Sequence, residues 1–168
     1  MKIDAIVYSS ATGFTAEYAQ MLSGSTGLPA YTLDQAAEKL NKKTRVLYMS
    51  WLMAGTLVDY KKAAEKFDVC AACSVGLNAT SAQAEATKKS SKIPDEVAFF
   101  ALQGGYRPDK LKGMYRFMMK IVTKVLIKKI SAIENKSENE EKLIDVLQHG
   151  GSFVKAENLE KVLAYLQD

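Results

Sequence analysis

The stretch Ile6-Val7-Tyr8-Ser9-Ser10-Ala11-Thr12-Gly13-Phe14-Thr15-Ala16-Glu17-Tyr18-Ala19-Gln20-Met21-Leu22 decides how the rest of the chain is read. A short β-branched run, starting at Ile3, ends in a loop of small hydroxyl residues and then turns into a helical pattern over Phe14 to Ser23. The same strand-then-loop pattern returns at 45–50, 69–75 and 97–102, with a shorter run at 28–32. These runs are almost continuously apolar, as parallel strands covered on both faces must be. Helix-like stretches lie between them, at 35–40, 57–67 and 82–89. The alternation predicts an α/β fold with a doubly wound, five-stranded parallel sheet.

After the fifth strand the alternation breaks. The next well-capped helix is expected only at 157–167, behind His149-Gly150-Gly151. Residues 107–147 therefore read as a basic insertion carrying two helices, parted by the polar turn 134–139, within a single domain spanning 1–168. With 168 residues, 48% of them hydrophobic and 25% charged, one folded domain is the expectation and wholesale disorder is excluded. No apolar run is long enough to span a bilayer, and Asp4 interrupts what would be the apolar stretch of a signal peptide. Two cysteines are too few for a stapled secreted scaffold, so the expected location is cytoplasmic.

The net charge of +4 is unevenly spread. Residues 107–130 hold eight basic side chains and one acid, a net +7, whereas the fifteen basic and eighteen acidic residues elsewhere leave −3. Lys112, Arg116, Lys120, Lys124 and Lys128 recur every four residues, with Met114, Phe117, Met118, Ile121, Val125 and Leu126 on much of the opposite arc. Two readings stay open: an ordinary surface helix packed on the domain, or a helix that at 112–130 lies on an anionic membrane surface or accepts an anionic partner. Nucleic acid is not expected, since one charged stripe carries no reading motif.

In an open α/β sheet, ligands sit beyond the carboxyl ends of the strands where strand order reverses, and here the first strand stands at that point. Its loop offers hydroxyls, a glycine and the unpaired N–H groups of a helix start, which together make a phosphate site without a fixed positive charge. Gly-Lys-Ser/Thr is absent from it, which argues against triphosphate hydrolysis, and so is Gly-x-Gly-x-x-Gly. Cys70 and Cys73, three apart on a strand, are expected to point to opposite faces as two core residues rather than a dithiol. A lone histidine, His149, cannot anchor a His-based metal site; it is read as structural and no metal is expected.

The aliphatic pair and aromatic at Ile6, Val7 and Tyr8, followed by Ser10, Gly13, Thr15, Ala19 and Leu22, resemble the flavodoxin signature. The resemblance implies a flavodoxin-like sheet in the order 2-1-3-4-5 and FMN as cofactor. It further implies that Ser9, Ser10, Ala11, Thr12, Gly13, Phe14 (through its backbone) and Thr15 hold the FMN phosphate. The loop after the third strand would face the flavin through Ser50, Trp51, Leu52, Met53 and Gly55. Trp51 is equally well read as stacking on the ring or as packing aromatic. The loop after the fourth strand would add Ser74, Val75, Gly76, Leu77 and Asn78, and the turn after the fifth Gly104 and Tyr106. No aromatic stands at 74–78, which leaves one flavin face less shielded.

Leu102-Gln103-Gly104-Gly105-Tyr106-Arg107-Pro108, followed by Met114-Tyr115-Arg116-Phe117-Met118-Met119-Lys120-Ile121, looks like the menaquinone-dependent protoporphyrinogen dehydrogenase branch of that fold. The resemblance implies an FMN-dependent oxidoreductase passing electrons from a porphyrinogen to a quinone. The alternatives are a flavodoxin electron carrier docking to redox protein partners and a cofactor-free binding module. Carriers are typically acidic, and the +7 segment argues against that one.

Overall fold

The computed structural model describes residues 2–167. The chain forms two compact units, one running to Gly104 and resuming at Val154, the other spanning Gly105–Phe153.

The first unit is α/β. Five parallel strands, β1 (Ala5–Ser9), β2 (Ala30–Thr32), β3 (Arg45–Met53), β5 (Asp68–Gly76) and β6 (Ala98–Gln103), lie in the order β2-β1-β3-β5-β6. The chain passes from β1 to one side for β2 and then to the other for β3, so the order reverses between β1 and β3. Helices α1 (Phe14–Thr26), α2 (Leu33–Lys39), α3 (Tyr60–Lys66), α4 (Ser81–Ser90) and α7 (Glu160–Gln167) complete the unit. Ile6, Leu47, Met49 and Cys73 pack with Tyr18 and Leu22 of α1 and Val162 of α7 in one core. Val7, Val46, Tyr48 and Ala72 pack with Ala36 of α2 and Ala63 of α3 in the other. Two buried faces explain why the strands read as unbroken apolar runs.

Local chemistry sets the helix starts. At α2, Thr32 accepts from the Gln35 N–H while the Gln35 side chain accepts from the Thr32 N–H. Thr80 caps α4 through the Gln83 N–H. The last helix is shorter than the expected 157–167, because Ala156–Leu159 is a 3-10 turn.

The stretch 50–56 is not a loop. β3 continues through Met53, turns over Ala54-Gly55, and returns as β4 (Thr56–Leu57), antiparallel to it. Ala54 and Gly55 have φ of 49° and 78°, the left-handed pair of a two-residue type I′ hairpin. The expected helix at 57–67 accordingly starts only at Tyr60. Ser74, Val75 and Gly76 likewise belong to β5, leaving Leu77 and Asn78 outside it. The strand expected at 28–32 is confined to Ala30–Thr32.

Cys70 and Cys73 do not face opposite ways. A register shift between Val46 and Leu47 leaves Cys70 as an extra residue on β5, and such a bulge resets the alternation. Both thiols lie in the core shared with α1 and α7, and burial pushes the Cys73 thiol up.

The second unit holds α5 (Gly113–Ser131) and α6 (Glu138–His149). It also contains a two-stranded antiparallel ribbon unforeseen in the sequence, β7 (Gly105–Tyr106) with β8 (Gly151–Ser152). Of the apolar arc on α5, Met114, Phe117, Met118, Ile121 and Val125 are exposed and Leu126 is partly covered, while the covered side is formed by the buried Thr123 with the partly covered Met119, Leu126, Ile127 and Ile130. That inner set recurs at steps of three and four, the spacing of one helix face.

Candidate functional site at the switch point

The crevice between β1 and β3 is bounded by the carboxyl end of β1 and its loop. Gly13 adopts φ 101°, ψ −23°, a conformation that a side chain would strain, and caps α1 with its carbonyl on the Glu17 N–H. Ser10 Oγ sits inside the curl, accepting from the N–H groups of Gly13 (3.2 Å) and Ala16 (3.4 Å). The loop thus already holds one oxygen on its convergent amides, the arrangement that receives an anion at a helix start. Ser10 and Ala11 are exposed, Ser9, Thr12 and Gly13 half-buried, and Phe14 and Thr15 buried.

Strand register supplies a second feature. Ser9 pairs with Ser50, and Ser50 with Ser74, so three serines lie in a row across β1, β3 and β5. Ser50 and Ser74 are buried, and Ser50 Oγ has no hydrogen-bond partner among the described residues. A buried hydroxyl without a partner is uncommon, because its desolvation is left uncompensated. Beside it, Tyr48 donates to the Val58 carbonyl (2.8 Å) and receives the Ser9 hydroxyl (3.0 Å). Burial pushes the Tyr48 phenol up to about 12, against the opposing hydrogen bond from Ser9. Ser50 also draws that ionisation down without meeting the geometry of a hydrogen bond.

The ends of β5 and β6 close on the same helix start. A Cβ at Gly104 would stand 2.8 Å from Val75 Cγ1 and 3.5 Å from Phe14 Cβ, so only glycine fits between them. The Gly104 N–H donates to the Gly76 carbonyl (2.7 Å). Gly76 in turn lies under Leu52, whose Cδ1 would be 3.2 Å from an added Cβ. Tyr18 of α1 donates to the Gln103 carbonyl (2.6 Å) and accepts from Asn158 (2.5 Å), while the Gln103 amide donates to the Leu77 carbonyl (3.0 Å). Burial raises the Tyr18 phenol, opposed by the hydrogen bond from Asn158.

Of the residues singled out in the sequence, Ser9, Ser10, Gly13, Phe14, Ser50, Leu52, Ser74, Val75, Gly76 and Gly104 take part in these contacts and pairings, and Ala11, Thr12 and Thr15 lie beside them in the same loop and helix start. Trp51 is half-buried on β3, opposite Val75 of β5. Leu77 is anchored by Gln103, and Asn78 is exposed. Met53 and Gly55 are exposed at the hairpin, where Ser90 Oγ donates to the Gly55 carbonyl (2.7 Å) and the Leu57 N–H donates to Ser91 Oγ (2.8 Å). Tyr106 is buried and belongs to the second unit. Sequence reasoning missed Tyr18, Tyr48 and Gln103. Gln103 had a signal, a polar residue closing the apolar run 97–102; Tyr18, inside a helical pattern, and Tyr48, inside an apolar run, had none.

Other places offer less chemistry. A cavity of about 500 Å³ in the second unit is lined by Tyr106, Arg107, Asp109 and His149 among others, and one of about 220 Å³ in the first by Thr80, Phe99 and Asn158 among others; neither includes residues 9–15. His149 ends α6 and meets Asp145 at 2.9 Å. Among the described residues no group of three His, Cys, Asp or Glu side chains is placed to hold a metal, and no helix is long and apolar enough to cross a membrane.

No protein-family model, curated protein or solved structure matches the chain.

Proposed function

We propose that the chain is a flavodoxin-like, FMN-binding oxidoreductase whose cofactor phosphate lies in the loop 9–15. The observation that carries this reading is the position of that loop. A left-handed Gly13 and convergent amides stand at the carboxyl end of the strand beside which the sheet order β2-β1-β3-β5-β6 reverses. The residues fit a phosphate ester: the loop has hydroxyls and N–H donors with no basic side chain, and the orphaned Ser50 Oγ lies on the neighbouring strand. Ser9, Ser10, Thr12 and the amides at the start of α1 would hold the phosphate; Trp51 and Leu52 would give the flavin an apolar neighbour. FMN, when bound, supplies the redox chemistry, and the chain supplies placement and electrostatics.

Titration of the purified protein with FMN tests this. Binding should quench Trp51 fluorescence and leave the protein yellow after gel filtration. Riboflavin, which lacks the phosphate, should bind about tenfold or more weakly, because charge-assisted hydrogen bonds are lost. A chain that stays colourless, or that binds both equally, has no phosphate cradle in this loop. Porphyrinogen oxidation with a quinone acceptor is the narrower proposal, and its readout is turnover of those substrates by the FMN-loaded protein.

A further inference from the structure

Among the described residues, ten large hydrophobic side chains are exposed, and seven of them lie in the first thirteen residues of α5. Met114, Phe117, Ile121 and Val125 follow one another at steps of three and four, so they share a face, and Met118 and Val122 extend it. Met114, Phe117 and Ile121 are 74%, 68% and 52% exposed. From Met114 to Val125 the helix rises about 17 Å, which makes the patch a continuous ridge rather than scattered residues. Lys120 and Lys124 border the ridge along one edge, Lys128 and Lys129 follow Val125 at its C-terminal end, and α5 contains no acidic residue.

We propose that this face of α5 docks on an anionic lipid surface, lying in the interface with its apolar ridge among the acyl chains. Charge and apolarity together select this occupant. Nucleic acid or an acidic protein would use the lysines but would leave Met114, Phe117 and Ile121 in water or require a matching apolar groove. A second copy of the chain would set two acid-free basic helices against each other, and like charges oppose that pairing. A bilayer with anionic headgroups satisfies both halves, since long lysine stems reach up to the phosphates while the ridge sinks below them. The helix lies on the surface and does not cross it, as it carries five basic residues and is not apolar enough to span. The docking does not depend on FMN: a chain that never binds the flavin is still expected to reach the membrane.

Flotation of the full-length protein with vesicles tests the proposal. The wild type should float with phosphatidylcholine/phosphatidylglycerol vesicles and stay behind with pure phosphatidylcholine. Lys120→Gln with Lys124→Gln should weaken binding about 30-fold, at roughly fivefold for each basic residue near the surface. Phe117→Ser with Ile121→Ser should abolish it, with circular dichroism unchanged because both side chains are exposed. Phe117→Trp should add emission that shifts to the blue on anionic vesicles and is quenched by brominated lipid. Failure of the wild type to float overturns the proposal. So does flotation without a Phe117→Trp shift, which marks a purely electrostatic surface for an acidic protein or nucleic acid. A solution dimer that Phe117→Ser/Ile121→Ser converts to monomer also overturns it, in favour of a second copy.

Discussion

The phenolic oxygen of Tyr48 stands 3.0 Å from Ser9 Oγ, so one buried side chain of β3 is tied to the last residue of β1 at the edge of the switch-point crevice. The same oxygen donates to the Val58 carbonyl, on the segment between the hairpin and α3. Tyr48→Phe removes both bonds and leaves two polar atoms short of a partner. We expect a loss of about 1–3 kcal/mol in denaturant unfolding. The pH dependence carries the same residue's mark. The folded state holds the Tyr48 proton to about 12, against an ordinary value of 10.0. The unfolded chain therefore binds fewer protons between those values, and stability falls as pH rises through that window. By its upper end the loss from this group is about 2–3 kcal/mol. Tyr48→Phe should flatten the decline, and an unchanged slope would place the titrating group elsewhere.

Ser10 allows the phosphate assignment to be separated from folding. Its Oγ already accepts from the Gly13 and Ala16 amides. Ser10→Asp places a carboxylate on the same donors, where a negative charge at a helix start is favourable. The melting temperature should stay level or rise. FMN affinity should fall by about tenfold or more, since the carboxylate takes the phosphate's donors and repels it. A variant that melts normally and still binds FMN as the wild type does would falsify the loop assignment.

How far the sequence could be read depended on how local the controlling interaction was. The order of strands and helices, and the position of the 9–15 loop, follow from apolar runs punctuated by Gly, Ser and Thr, and all of those signals lie within a few residues of their effect. Ser50–Thr56 failed for the opposite reason. Ala54-Gly55 lacks the Asn-Gly or Asp-Gly pair that advertises a type I′ turn, and the hairpin is held by Ser90 and Ser91, more than thirty residues away. The Cys70 bulge was invisible because it is a register shift between strands, which no spacing along one strand records. Which face of α5 packs stayed open because hydrophobic residues occupy two arcs of that helix, and composition does not say which one is covered. The Ser9–Ser50–Ser74 row likewise needed the register of three strands.

That hairpin yields a stabilising substitution. Ala54 sits at φ 49°, a conformation its Cβ disfavours and asparagine tolerates. Ala54 is exposed, so a longer side chain meets no packing limit. Ala54→Asn creates the Asn-Gly pair preferred in this turn, and the gain should be about 0.5–1 kcal/mol by thermal or urea unfolding. Ala54→Val, β-branched and averse to the left-handed region, should move stability the other way. If both variants unfold like the wild type, the turn does not carry the positive φ assigned to it.

The second unit has its own acid-sensitive element at the start of α6. Ser137 Oγ accepts from the Glu140 N–H (3.3 Å), and the Glu140 carboxylate accepts from the Ser137 N–H (2.8 Å) and hydroxyl (2.9 Å). The backbone and hydroxyl donors of Ser137 hold the Glu140 carboxyl below its ordinary value of 4.5. A carboxylate with a lowered folded value contributes its full stability above the ordinary range and loses it as pH falls through the folded value. The protection of the amides in the first turn of α6, taken relative to their intrinsic exchange rate at each pH, should therefore be highest at neutral pH and fall on acidification. Ser137→Ala should lower that protection roughly fivefold at neutral pH, the usual loss for a removed cap. Glu140→Gln keeps an acceptor oxygen but no charge, so protection should start lower than in the wild type and respond less to acid. Equal acid responses in wild type and Glu140→Gln would mean that the carboxylate does not hold the cap, and that α6 is anchored instead by the buried Leu143, Val146 and Leu147.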